Sequence, residues 1–115
     1  MYISNLRDFR DATEDYFGGK ARYLATAASE NDPSRGYVRF LLYEALHFRF
    51  IIGDPPYNGL GISRQIDGNA SISQFALGDL TLIGNDKMSV LNAFDIIDTY
   101  CRLLLPDKYL KLFDS

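Results

Sequence analysis

The chain has 115 residues, 47% of them hydrophobic and 23% charged, and its 15 acidic groups against 12 basic ones leave a net charge of −3. That length supports one core without metal or disulfide staples, so a single globular domain over residues 1–115 is expected. An acidic chain with pI about 5.0 lacks the cationic excess that nucleic-acid binding draws on, and no apolar run approaches the ~20 residues of a membrane span.

The single cysteine, Cys101, has no partner for an internal bridge. The opening residues, Met1-Tyr2-Ile3-Ser4-Asn5-Leu6-Arg7-Asp8, lack a basic region followed by an apolar one. Together these lead to the expectation of a cytoplasmic protein.

In residues 4–17, Leu6, Phe9, Ala12, Thr13, Tyr16 and Phe17 recur with the helical period and predict an amphipathic helix. Ser4 or Asn5 can cap its start, and Gly18-Gly19 supply the left-handed geometry that ends helices. Residues 20–30, rich in alanine and closed by Asn31-Asp32-Pro33, read as a second helix. Residues 34–52 are apolar almost all round, leaving a narrow arc for Arg35, Arg39 and Arg49, and predict a buried central helix ending at Gly53-Asp54-Pro55-Pro56. The apolar end of that stretch, residues 50–53, reads equally as a short strand.

Residues 53–86 hold six of the nine glycines and set Asp54, Asp67, Asp79 and Asp86 against Arg64 alone, a balance equal to the whole net charge. Ser71-Ile72-Ser73-Gln74 has capping-box spacing, so residues 71–77 predict a short helix. If that helix fails, residues 80–83 can pair as a strand with residues 72–76. Asp86 then caps a long helix over residues 87–105, with Asp98 and Arg102 spaced for an ion pair, and Pro106 opens a short terminal helix over residues 107–113. The expected fold is therefore mainly α: a compact bundle of four to six helices around a buried central one, with room for a small β-hairpin.

The chemistry of catalysis is sparse. His47, the sole histidine, falls on the buried stretch beside Phe48, and Cys101 falls on an apolar helix face, where cysteine behaves as a small hydrophobe. No metal, cofactor or catalytic residue is expected. Gly59-Leu60-Gly61 lacks the lysine of a phosphate cradle. Ile51-Ile52-Gly53-Asp54-Pro55-Pro56-Tyr57 resembles the Asp-Pro-Pro-Tyr signature of methyltransferases that act on nucleobase amines. That resemblance implies that Asp54 holds the amine and Tyr57 stacks on the base, but no glycine-rich strand-to-helix turn for a methyl donor accompanies it.

What remains is charge on the surface. Asp8, Asp11 and Asp15 share one side of the first helix, and Asp54, Tyr57, Asp67, Asp79 and Asp86 lie in the glycine-rich middle or at its end. These eight residues are the candidate partner-binding set. The small size, acidity and aromatic content, with the stretch Leu41-Leu42-Tyr43-Glu44-Ala45-Leu46-His47-Phe48-Arg49-Phe50, resemble in type the immunity proteins of contact-dependent growth inhibition systems. The resemblance implies a non-enzymatic protein, monomer or weak homodimer, that neutralises a basic toxin domain such as a nuclease by occluding its active site. A phage or plasmid protein that blocks a host defence factor would need the same acidic face.

Overall fold

The first helix, α1 (Leu6–Phe17), follows the sequence pattern closely. The Asn5 side chain accepts a hydrogen bond from the Asp8 amide, and Gly18 ends the helix at φ +55°. Its buried face is Leu6, Phe9, Ala12, Thr13 and Phe17. The computed structural model describes residues 1–53, 59–68 and 70–114.

Beyond a short 3-10 turn, Gly18–Lys20, the expected bundle gives way to a sheet. Strands β1 (Ala21–Ala28), β2 (Gly36–Leu42), β3 (Leu46–Ile52), β4 (Leu60–Asp67) and β5 (Ala70–Ile72) form a five-stranded sheet in sequence order. All neighbouring strands run antiparallel. The helix expected at residues 20–30 is β1, and the central helix expected at residues 34–52 is the β2–β3 hairpin. The protein is α+β rather than mainly α.

The reason lies in a period of two. Val38, Phe40, Leu42, Leu46, Phe48, Phe50 and Ile52 are buried, while the residues between them are half-exposed. In register, Phe40 faces Phe48 and Val38 faces Phe50, and Phe50 faces Ile62 on β4. A helix apolar on every side must be surrounded by other elements, which a chain of this length can scarcely provide. A hairpin needs cover on one face only, and each large side chain buried there contributes about 1.5–3 kcal/mol.

Gly36 opens β2 at φ +127°, where a Cβ would lie 2.1 Å from the Ala27 carbonyl oxygen, so only glycine fits. At the other end of the hairpin, Tyr43 and Glu44 turn the chain with φ +55° and +50°.

The helix expected at residues 71–77 is likewise absent. β5 leads into a small pair, β6 (Gln74–Phe75) with β7 (Gly78–Asp79). The Leu80 amide donates to the Ser73 carbonyl, and Ile83 bridges to Leu60 on β4 rather than to residues 72–76. The last elements are α2 (Lys87–Leu104), capped by Asp86 through the Ser89 amide, and the short α3 (Asp107–Leu110).

Both long helices cover the same face of the sheet. Phe94 of α2 packs on Phe9, Phe17 and Phe50 with ring centroids 5.6 to 6.4 Å apart, and a single core cluster joins helices and strands. No helix among the described residues is long and apolar enough to cross a membrane.

Candidate functional site

Asn85 ties the starts of the two helices together. Its Oδ1 accepts from the Ile3 amide at 2.7 Å and its Nδ2 donates to the Ile3 carbonyl at 2.7 Å. The helices therefore start at the same end, and Tyr16 of α1 meets Phe94 of α2 at 5.4 Å. At 100° per residue, Asp8 and Asp15 sit on the solvent side of Ala12, on the α1 flank that looks toward α2, while Asp11 lies opposite the buried face, nearer Arg7. On α2 the facing flank carries Asp95 and Asp98. Their carboxylates bear on the Tyr16 phenol, whose pKa is raised first by burial and then by Asp95 and Asp98. Asp8 and Asp15 on α1 thus stand on the side that faces Asp95 and Asp98 on α2, whereas Asp11 lines a depression with Arg7, Arg10, Glu14 and Thr26 on the β1 side of the helix. Among the described residues none of these five aspartates forms an ion pair.

Only part of the set chosen from sequence gathers here. Asp8 belongs to the face shared with α2 and also accepts from the Ser4 amide at 2.9 Å, closing the α1 cap. Asp86 caps α2 at the end where the two helices begin, and hydrogen bonds from the Ser89 hydroxyl and amide hold its carboxyl below the usual range. Asp79 accepts from the Thr81 amide and hydroxyl, a local turn that lowers its pKa in the same way. Asp67 lies exposed at the end of β4, away from the helices. Asp54 and Tyr57, and with them the Asp-Pro-Pro-Tyr motif, lie outside the described residues.

Asp95 and Asp98 escape a reading that gathers acidic residues by sequence window. The signal that finds them is their position on α2 next to Phe94, the ring that packs against α1. Asp98 does not pair with Arg102 as the four-residue spacing suggests. It accepts a hydrogen bond from the Tyr43 hydroxyl, and Arg102 instead reaches Asp114 at 2.6 Å.

The reactive side chains are subdued. Cys101 is fully buried and its thiol is pushed up to about 12, by burial first and then by Asp98. A protonated buried thiol is a poor nucleophile. His47 sits on β3, half-exposed, and not one helical turn from Tyr43. Among the described residues no three metal-ligating side chains come together.

The opposite face of the sheet has another character. Arg39 and Arg49 are direct partners across β2 and β3, and Leu41 faces His47 one row away. Arg49 lies 4.4 Å over the Tyr37 ring. Sequence reading put Arg39 and Arg49 on a helical arc with Arg35. In the folded chain Arg35 leaves them and bonds to Asp32 and the Gly53 carbonyl. The alternation Leu46-His47-Phe48-Arg49-Phe50 was the signal for this second face. The uncovered sheet face thus gathers Arg39 and Arg49, whereas the helices carry their carboxylates together with Arg7, Arg10 and Arg102.

An antiparallel meander with both long helices on one face defines the class as an α+β protein. No known family matches the chain, and neither a curated protein nor a solved structure shows significant similarity to it.

Proposed function

We propose that the protein is a binding protein that neutralises a basic toxin domain, in the manner of the immunity proteins of contact-dependent growth inhibition, and performs no chemistry itself. The observation that carries this reading is the face shared by α1 and α2, where Asp8 and Asp15 stand opposite Asp95 and Asp98 beside Tyr16 and none of the four forms an ion pair among the described residues. Carboxylates held on rigid helices without a salt bridge suit a positively charged surface, because complementary fields speed encounter and reject wrong partners. Tyr16 on the same face is 38% exposed and supplies the kind of aromatic anchor on which binding energy concentrates. This face replaces the glycine-rich middle segment as the proposed contact.

The test is a pull-down with the wild-type chain and with the Asp15→Lys/Asp95→Lys double variant as baits in the native host. The expected result is a basic nuclease domain recovered at one-to-one ratio by the wild type and lost by the variant. Equal recovery on both baits, or an acidic partner, overturns the reading.

A further inference from the structure

The uncovered face of the sheet places two guanidinium groups side by side, with no salt bridge to either among the described residues. Arg39 and Arg49 are cross-strand partners, a like-charge pairing that opposes folding. Their row across the sheet runs Ala25, Arg39, Arg49 and Ser63. Both arginines line one surface groove.

Further donors surround it. His47 lies on the same face of β3, two residues from Arg49, and Gln65 reaches Ser63 at 3.5 Å. This groove, of about 400 Å³, is lined by Arg39, His47, Arg49, Gln65 and Asp67, among others. Nε2 of His47 and Nε of Arg49 are shielded from solvent and have no hydrogen-bond partner, a costly state for buried polar atoms. Arg49 is held in place by the Tyr37 ring beneath it.

We propose that this groove binds the phosphate group of a small phosphomonoester, with Arg39 and Arg49 as the charged clamp and His47 as a third donor. Two fixed positive charges match a dianion, whereas a carboxylate would leave one guanidinium uncompensated. The volume suits a ligand of about mononucleotide size. A nucleic-acid polymer is disfavoured, because the net charge of −3 repels an extended polyanion. Burial and the two arginines hold the His47 imidazole below its ordinary pKa, so a bound phosphate must raise it, Asp67 being the one carboxylate in the lining.

The single histidine makes a clean probe. Imidazole nitrogen–proton NMR spectra are recorded at constant ionic strength while inorganic phosphate, and separately adenosine 5′-monophosphate, is added to about 20 mM. The expected result is a saturable shift of the His47 signals with a raised pKa, and affinity about tenfold weaker in Arg39→Gln and in Arg49→Gln. Tighter binding of the nucleotide points to a nucleotide ligand, and equal binding to free phosphate, both in support. Two arginine variants guard against one failing to fold, which circular dichroism checks. Linear, non-saturating shifts, unchanged affinity in the folded variants, or a short single-stranded oligonucleotide binding at least about tenfold tighter than the nucleotide would overturn the proposal.

Discussion

The Tyr43 hydroxyl donates a hydrogen bond to the Asp98 carboxylate, joining the β2–β3 turn to the middle of α2 across 55 positions of sequence. Tyr43 holds the left-handed conformation at φ +55°, which costs a residue with a Cβ about 1–2 kcal/mol. Its surroundings leave it no alternative. The amide donates to the Lys20 carbonyl at 2.7 Å, the carbonyl accepts from the Tyr109 hydroxyl, and the ring packs 5.3 Å from Phe113. Burial first, and then the bond to Asp98, push the phenol up to about 12, so it stays a donor at every physiological pH. Tyr43→Phe keeps the ring and deletes the bond, and should lower unfolding free energy by about 1–3 kcal/mol in urea titrations.

Glu44 follows Tyr43 in the same turn at φ +50°, exposed to solvent, with an exposed ion pair to Arg22 at 2.8 Å. The backbone penalty outweighs an exposed pair worth little. Glu44→Gly should therefore stabilise the protein by about 0.5–1 kcal/mol, seen as a raised thermal midpoint. A lowered midpoint would show that the ion pair matters more than the strain.

Gly36→Ala should do the opposite. The φ of +127° and the 2.1 Å approach to the Ala27 carbonyl oxygen leave no room for a methyl group, and a loss of about 2–3 kcal/mol is expected by chemical denaturation. The damage should be largest at the open end of β1 and β2, where amide exchange will quicken first.

Charge reversal on the face shared by α1 and α2 tests the contact by its kinetics. Asp15→Lys and Asp95→Lys replace exposed side chains and should leave the fold unchanged. Stopped-flow association with the basic partner should slow by about tenfold or more, and its dependence on salt should flatten. Asp67→Lys, at the far end of β4, should change neither.

Stability should fall continuously as pH drops from 7 to 3, in two stages. His47 has its pKa lowered by burial and by Arg39 and Arg49. A depressed folded value means that the unfolded chain binds the proton first, so stability is lost as pH falls below about 6.5 and through the folded pKa. Asp32, Asp79, Asp86 and Asp114 are lowered by bonds from Ser34, Thr81, Ser89 and Arg102 respectively. Their contribution is present above their unfolded value of 3.8 and disappears as pH falls through the folded values. Thermal melts across this range should show the upper stage vanish in His47→Gln while the lower stage remains.

The parts of the fold visible in sequence are those with local causes. Asn5, Gly18, Asp86 and Pro106 mark helix ends by side-chain capping or by backbone restriction, and they act where expected. The sheet was harder to see because Tyr37, Leu41 and Ile51 on its uncovered side are also apolar, which blurs the alternation into a continuous hydrophobic run. The site divides in the same way. Asp8 and Asp15 share one side of α1 by the helical period alone, whereas Asp95 and Asp98 come to face them only because Phe94 seats α2 against α1.

By itself the sequence determined the charge, the two long helices and their ends, because caps and a 3.6-residue period act within a turn or two of chain. Only the tertiary structure decided that residues 34–52 form a hairpin, since an almost uniformly apolar stretch can serve as helix or strand until its neighbours fix how many sides can be buried. With two helices available, one side was covered. That choice sent Arg39, His47 and Arg49 to the open face and set Asp8 and Asp15 of α1 opposite Asp95 and Asp98 of α2 on the other.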